Sequence, residues 1–212
     1  LESILEEYKG NIPINIKNAF LAAEDANFFN HQGISYKGLI RSFIRCISSD
    51  GCVGGGGTIT MQVVRGYLLT RDQTYIRKIK EIYLALELEG NLTKEEIFEL
   101  YVNRIFLGNR SYGIEAAANT YFDKELEDLT ISESATIASL AQLPSRVNPV
   151  KDPRRTLQRR NWILSRMLLL DYIDSDEYEE AIMQDLNIAK NINLYDLDAD
   201  HIAEIARQEV IK

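Results

Sequence analysis

Cysteine and histidine are scarce in this sequence. Its 212 residues include only Cys46, Cys52, His31 and His201, too few and too scattered for a zinc cluster. No uncharged apolar run approaches the ~20 residues that a membrane helix needs, so no segment is expected to span a bilayer. A GxxxxGK[ST] phosphate loop, a GxGxxG turn and a GxSxG elbow are all absent, which removes three common nucleotide and hydrolase signatures. The chain starts at Leu1 without an apolar signal segment, and it is expected to be a fragment whose targeting end has been removed. What remains is an ordinary globular composition, 45% hydrophobic and 26% charged, which argues against disorder and coiled coil.

The net charge of −8 is unevenly spread. Residues 171–212 carry 12 acidic against 3 basic side chains, so the body before them is close to neutral. Within that body, Arg65, Arg71, Arg77, Lys78 and Lys80 form a basic cluster opposed only by Asp72, suited to an anion. Nucleic acid fits poorly, because there is no long basic face with interleaved aromatics.

The hydrophobic pattern is helical nearly throughout. Ile16, Phe20 and Ala23 recur at helical spacing, as do Tyr36, Ile40, Phe43 and Ile47, and again Ile76, Ile79, Tyr83 and Leu86. Thr93 with Glu96, and Thr130 with Glu133, read as capping boxes that open helices, and Gly90 reads as a stop between two of them. Pro153 suits the first turn of a long helix through Leu157, Leu164 and Leu168. Strict alternation is rare, so the fold is expected to be mainly α. Two stretches break the pattern. Residues 48–57 hold five glycines and two serines, and Pro144 to Pro153 is irregular, with a turn at Asn148-Pro149. Cys46 and Cys52 flank the first break and read as free thiols, since Cys46 also fits a helical face with Phe43.

Two segments carry candidate chemistry. Glu24-Asp25 is followed by Phe28-Phe29 and His31; a carboxylate beside apolar rings is partly desolvated, which raises its pKa towards that of a usable base. A solvated pair with core rings is the commoner arrangement. In Arg77-Lys78-Ile79-Lys80-Glu81, the charges at 77, 78 and 81 share one helix face and would suit a pyrophosphate or a leaving group. Surface ion pairs of little consequence are the plainer reading.

In order and spacing these segments resemble the peptidoglycan glycosyltransferases of glycosyltransferase family 51, as found in class A penicillin-binding proteins. Glu24, Asp25, Phe28, Phe29, His31 and Gly33 match the first motif; Gly56-Gly57-Thr58-Ile59-Thr60-Met61-Gln62 resembles the second, and residues 77–81 the third. Lys94 to Ile97 with Tyr101-Val102-Asn103 matches the fourth, and Gly108 to Gly113, Ala116 to Ala118 and Tyr121-Phe122 continue the pattern. Arg159-Arg160-Asn161 and Asp171 to Ala181 resemble the exit from that domain, and 199–209 the start of a linker towards a transpeptidase domain. There are departures. Gly57 stands for the usual Ser, Met61 for a Gln, Arg65-Gly66 for Lys-Asn, Ala26 for Arg, Ser35 for Asp, and Asp123 for Gly.

The resemblance implies a lysozyme-like helical lobe with a smaller membrane-facing jaw near 36–70. It places the glycosyltransferase domain at 1–172, and a helical exit with the start of the linker at 173–212. It implies polymerisation of lipid II into β-1,4-linked glycan by inverting transfer, with release of undecaprenyl pyrophosphate. Glu24 would be the general base and Glu81 the second catalytic carboxylate. Asp25, Phe28, His31, Thr58, Gln62, Arg65, Arg71, Arg77, Lys78, Lys80 and Asn103 would bind substrate. No cofactor is obligatory, though a divalent cation such as Mg2+ would help neutralise a pyrophosphate. The implied partners are lipid II, the growing strand, a fused transpeptidase domain and the outer face of the bacterial inner membrane. The jaw would meet the bilayer through Tyr36, Leu39, Ile40, Phe43, Ile44, Val63, Val64, Tyr67, Leu68 and Leu69. The rivals are a lytic transglycosylase or hydrolase, which needs no phosphate-binding cations, and an inactive glycan-binding scaffold, in which loss of Glu24 or Glu81 would be expected.

Overall fold

The computed structural model describes residues 12–36, 38, 57–68, 75–142, 144 and 147–189. Among these are eight α-helices: α1 (Ile14–Glu24), α2 (Ile59–Leu68), α3 (Tyr75–Asn91), α4 (Lys94–Arg104), α5 (Ile114–Phe122), α6 (Ile131–Leu140), α7 (Pro153–Leu169) and α8 (Ser175–Met183). Two short 3₁₀ turns, Phe28–Asn30 and Leu126–Asp128, join them. The described residues contain no sheet, only one antiparallel bridge between Phe106 and Tyr112. The mainly α expectation holds.

Helix α6 is the centre. Every residue from Ser132 to Leu140 is buried, and α1 and α7 both pack along it. Small side chains make such close approach feasible. Their hydroxyls are satisfied within the helix itself, Thr136 donating to the Ser132 carbonyl at 2.8 Å and Ser139 to the Thr136 carbonyl at 2.6 Å. The capping box expected at Thr130 is formed, as is that at Thr93; each such cap is worth ~1 kcal/mol. Pro153 opens α7 in the expected first turn, behind the cap Asp152. The Asn148-Pro149 turn also forms, with the Asn148 Oδ1 accepting from the amides of Val150 and Lys151.

Arg160 joins α7 to α8 and is 1% exposed. Its guanidinium donates to the Ser132 hydroxyl and to the carbonyls of Ile182 and Gln184, at the C-terminal end of α8. A cation there meets the negative end of the helix dipole. Residues 175–189 thereby pack on the rest of the body, and the Ala189 amide donates to the Tyr121 carbonyl at 2.8 Å.

Helix α3 departs from expectation. Ile79, Tyr83 and Leu86 point outward, at 68%, 66% and 44% exposed, while Glu81, Ala85 and Leu88 face the core. The helix carries two stripes at the same spacing, and periodicity alone does not choose between them. Two contacts decide it. Glu81 is held by cations, as described below, and the small Ala85 lets the loop at Gly33 approach so closely that a Cβ there would lie 2.9 Å from the Ala85 carbonyl oxygen. Gly33 accordingly has φ +75°, a conformation that glycine adopts without strain. Nor does Gly90 end α3. The helix runs on to Asn91, whose side-chain amide donates to the Glu87 carbonyl at 2.7 Å.

The membrane face read from the sequence changes as well. Val63 and Val64 are 4% and 0% exposed and belong to the core. Tyr67 is half-buried, donating to the Leu100 carbonyl, with the Arg104 guanidinium 4.2 Å from its ring centroid. Tyr36 is exposed. Leu39, Ile40, Phe43, Ile44, Leu69, Arg71, both cysteines and His201 lie outside the described residues, as do most of the jaw and the tail after 189.

Candidate active site

The site is assembled on the first two turns of α2. Its N-terminus is doubly held: the Met61 amide donates to the Thr58 hydroxyl and the Ile59 amide to Asp25 Oδ2, both at 3.2 Å. The Thr58 hydroxyl in turn donates to the Gly33 carbonyl. Asp25 also accepts from His31 Nε2 at 2.9 Å. Asp25, His31 and Thr58 therefore fix the end of α1, the Phe28–Gly33 loop and the start of α2 in one arrangement. Phe28 is wholly buried, its ring packed near Phe29, His31 and Phe98 with the Lys94 ammonium 4.4 Å from its centroid. Lys94 and the Thr60 hydroxyl both donate to Glu89, which ties α2, α3 and α4 together.

Fixed this way, α2 points two side chains one turn apart at two carboxylates. Gln62 Nε2 donates to Glu24 Oε2 at 3.0 Å. Arg65 forks onto Glu81, Nε to Oε1 at 3.1 Å and Nη2 to Oε2 at 3.3 Å. Glu81, with no exposed surface, also has Arg77 Nε 3.3 Å from Oε1 and Lys78 Nζ 3.1 Å from Oε2. Three cations thus converge on one carboxylate, leaving local positive charge in excess. Lys80 is exposed and Asn103 half-buried near the end of α4; neither joins these groups.

The two carboxylates are driven in opposite directions. Burial raises the Glu24 pKa, and Asp25 adds to the rise; the Gln62 hydrogen bond and the charge of Arg159 oppose it without reversing it. Burial also pushes Glu81 up, but the hydrogen bonds and charges of Arg65 and Lys78 outweigh it, so the group lies below its ordinary value. One carboxyl is poised to take a proton and the other is held as an anion. Environments that split two carboxyls in this way mark acid–base assignments.

A family model described as transglycosylase matches residues 5–168. The chain belongs to the transglycosylase family. It resembles penicillin-binding protein 1A of Pseudomonas aeruginosa, at 48% identity over 95% of this chain and 24% of that protein. It likewise resembles penicillin-binding protein 1A of Haemophilus influenzae, at 43% identity over 95% and 24%. A crystal structure of the Haemophilus influenzae protein aligns with a TM-score of 0.45 and 36% identity, covering 72% of this chain and 19% of that one. The chain spans about a quarter of the length of these curated relatives. It is a glycosyltransferase domain of the kind carried by class A penicillin-binding proteins.

Two departures from the transglycosylase pattern now explain each other. A Cβ at Gly57 would lie 3.2 Å from Arg65 Nη2 and 3.7 Å from Met61 Cβ. The guanidinium therefore occupies space that a serine at 57 would crowd, and its fork on Glu81 limits how far it can yield. Gly57→Ser is expected to destabilise the fold by pushing Arg65 off Glu81, whereas in an Arg65→Lys background the same change should cost little. Unfolding free energies of the four proteins in this cycle should show a coupling of ~0.5–3 kcal/mol. Additive effects would mean that the two positions are independent.

Sequence reasoning missed two residues beside Glu24. Arg159, read only as part of the exit from the domain, acts electrostatically on Glu24, with its guanidinium carbon 4.1 Å from the Trp162 ring centroid. Burial lowers the Arg159 pKa and the charge of Glu24 draws it back up. The Arg159-Arg160 doublet was the available signal, but it does not say which arginine faces the cleft and which the core. The other residue is Tyr101, whose phenol responds to both Glu24 and Asp25.

Proposed function

We propose that the domain polymerises lipid II into β-1,4-linked glycan, releasing undecaprenyl pyrophosphate. The observation that carries this reading is the pair of oppositely tuned carboxylates set one turn apart along α2, one hydrogen-bonded to Gln62 and the other ringed by Arg65, Arg77 and Lys78. A sugar transfer with a pyrophosphate leaving group needs both halves, a base and a cation cluster. A hydrolase needs no such cluster.

In the proposed reaction the 4-hydroxyl oxygen of the acceptor lipid II attacks the anomeric carbon of the lipid-linked strand. Its proton passes to Glu24 as the new carbon–oxygen bond forms. The bond to the pyrophosphate oxygen breaks with its electron pair, and the departing charge falls to Arg65, Arg77 and Lys78. Attack from the face opposite the leaving group turns the α linkage into β. Glu81 acts by holding those cations in place, with all its hydrogen-bonding directions engaged. For the same reason Glu81 and Asp25 do not present themselves as ligands for a divalent cation, and no step is routed through one.

The substrate's lipid requires a cleft that opens at a bilayer. No helix among the described residues is long and apolar enough to cross one. Exposed apolar surface is concentrated instead at Tyr36 and on the outer face of α3, with Ile79, Tyr83 and Leu86 beside the exposed Lys80. That arrangement suits contact with anionic lipid at the outer face of the inner membrane. Following glycan formation from labelled lipid II tests the function directly. Polymer of increasing length, with pyrophosphate-linked lipid released, is expected; release of cut glycan from preformed strands, with no polymerisation, would favour a lytic enzyme.

A further inference from the structure

Tyr101 lies on α4 and is 4% exposed. Its ring meets Phe20 nearly edge-on at 5.9 Å between centroids and Phe98 at 6.4 Å. The hydroxyl is fully enclosed and has no hydrogen-bond partner in the protein among the described residues. An enclosed hydroxyl without a partner is unfavourable, and a phenylalanine would fill the same space without that cost. Packing therefore explains the ring but not the oxygen.

Phe20 indicates where the oxygen goes. Phe20 and Glu24 are four residues apart on α1 and so share a face. A phenol packed edge-on against Phe20 lies beside the face that ends in Glu24. The electrostatics agree: burial pushes the Tyr101 phenol well above its usual range, and the charges of Glu24 and then Asp25 push it further. At working pH Tyr101 is a neutral donor facing two acceptors. Asp25 is already occupied by His31 and the Ile59 amide. Glu24 has one printed partner, Gln62, on Oε2.

We infer that Tyr101 is a positioning residue for Glu24: its hydroxyl donates through one bridging water to the Glu24 carboxylate, aiming it into the cleft and keeping it ionised. The inference rests on the general-base reading of Glu24 above. The other groups that act on this carboxyl are Gln62 from α2, Arg159 from α7 and Asp25, with its partner His31, at the end of α1 itself. Helix α6 also packs on α1, but its one charged residue, Glu133, is paired with Lys124.

The test is the pH dependence of kcat/KM for polymerisation by the full-length enzyme carrying Tyr101→Phe. A donor to a carboxylate favours the ionised form, so its loss raises the pKa of the base. The acidic limb of the profile should move up by about half a pH unit or more, with kcat reduced, KM little changed, and the melting temperature held or raised. An acidic limb that overlays the wild type overturns the inference. Should the Phe variant fail to fold, 3-fluorotyrosine at 101 keeps the ring and strengthens the donor. Its limb should move to lower pH, and an unmoved limb again overturns the proposal. Wild-type enzyme without polymerase activity, or Glu24→Gln with full activity, would refute the general-base reading and this inference with it. Active wild type with an unshifted variant refutes the role of Tyr101 alone.

Discussion

Glu24→Gln is expected to lower the rate of glycan polymerisation by ~10²–10⁴-fold, the usual worth of a general base, while the melting temperature holds or rises. Gln keeps the shape and still offers an oxygen to the Gln62 amide, so the contact to α2 survives. The stability argument follows from the sign of the pKa shift. A carboxyl whose folded pKa is raised above its ordinary value of 4.5 costs stability at any pH where it must ionise, and that cost is fully present at neutrality. Removing the charge removes the cost. Paired measurements of turnover and thermal unfolding at neutral pH separate this outcome from simple misfolding. A variant that is inactive because it is unfolded, or one that retains near-full turnover, would each take the base role away from Glu24.

How much of this site the sequence revealed depended on the kind of interaction. Thr93 with Glu96 and Thr130 with Glu133 were legible because a capping box is local, closed within four residues. The grouping of Arg77, Lys78 and Glu81 was legible for the same reason, since helical spacing alone puts them on one face. The depth of Glu81 was not. Its burial depends on Arg65, sixteen positions away, and only the docking of α2 against α3 brings the fork into place. That same docking decides which stripe of α3 faces inward, so the misreading of Ile79, Tyr83 and Leu86 and the underrated ion cluster have one origin. Val63 and Val64 were misassigned to a membrane face because apolar periodicity does not distinguish a core from a lipid surface. Asp25 and His31 were read as substrate contacts; their observed partners lie within the fold, and those partners become visible only when residues 25 and 59 meet.

The second large effect is expected at Glu81. Glu81→Gln leaves Arg65, Arg77 and Lys78 facing one another without the anion that gathers them. Each cation is partly exposed, with side-chain values of 43%, 24% and 39%, so water softens the repulsion. A stability loss of ~1–3 kcal/mol is therefore expected, less than for breaking a fully buried pair. The loss should depend on pH in a defined direction. The folded pKa of Glu81 is depressed, so its contribution is complete above the ordinary value of 4.5 and fades as pH falls through the folded value. Wild type and variant should differ most in melting temperature near neutrality and converge in acid. Catalysis should fall further than stability, by roughly 10²–10³-fold, because preorganised cations stabilise a leaving group only while they are held in position. Lys78→Ala offers the contrast: it removes one partly exposed cation, leaves Glu81 paired with two arginines, and should lower turnover with little change in melting. A Glu81→Gln protein with wild-type melting at neutral pH would show that the cations need no anion to hold them. The role of Glu81 would then have to be sought in direct contact with the substrate.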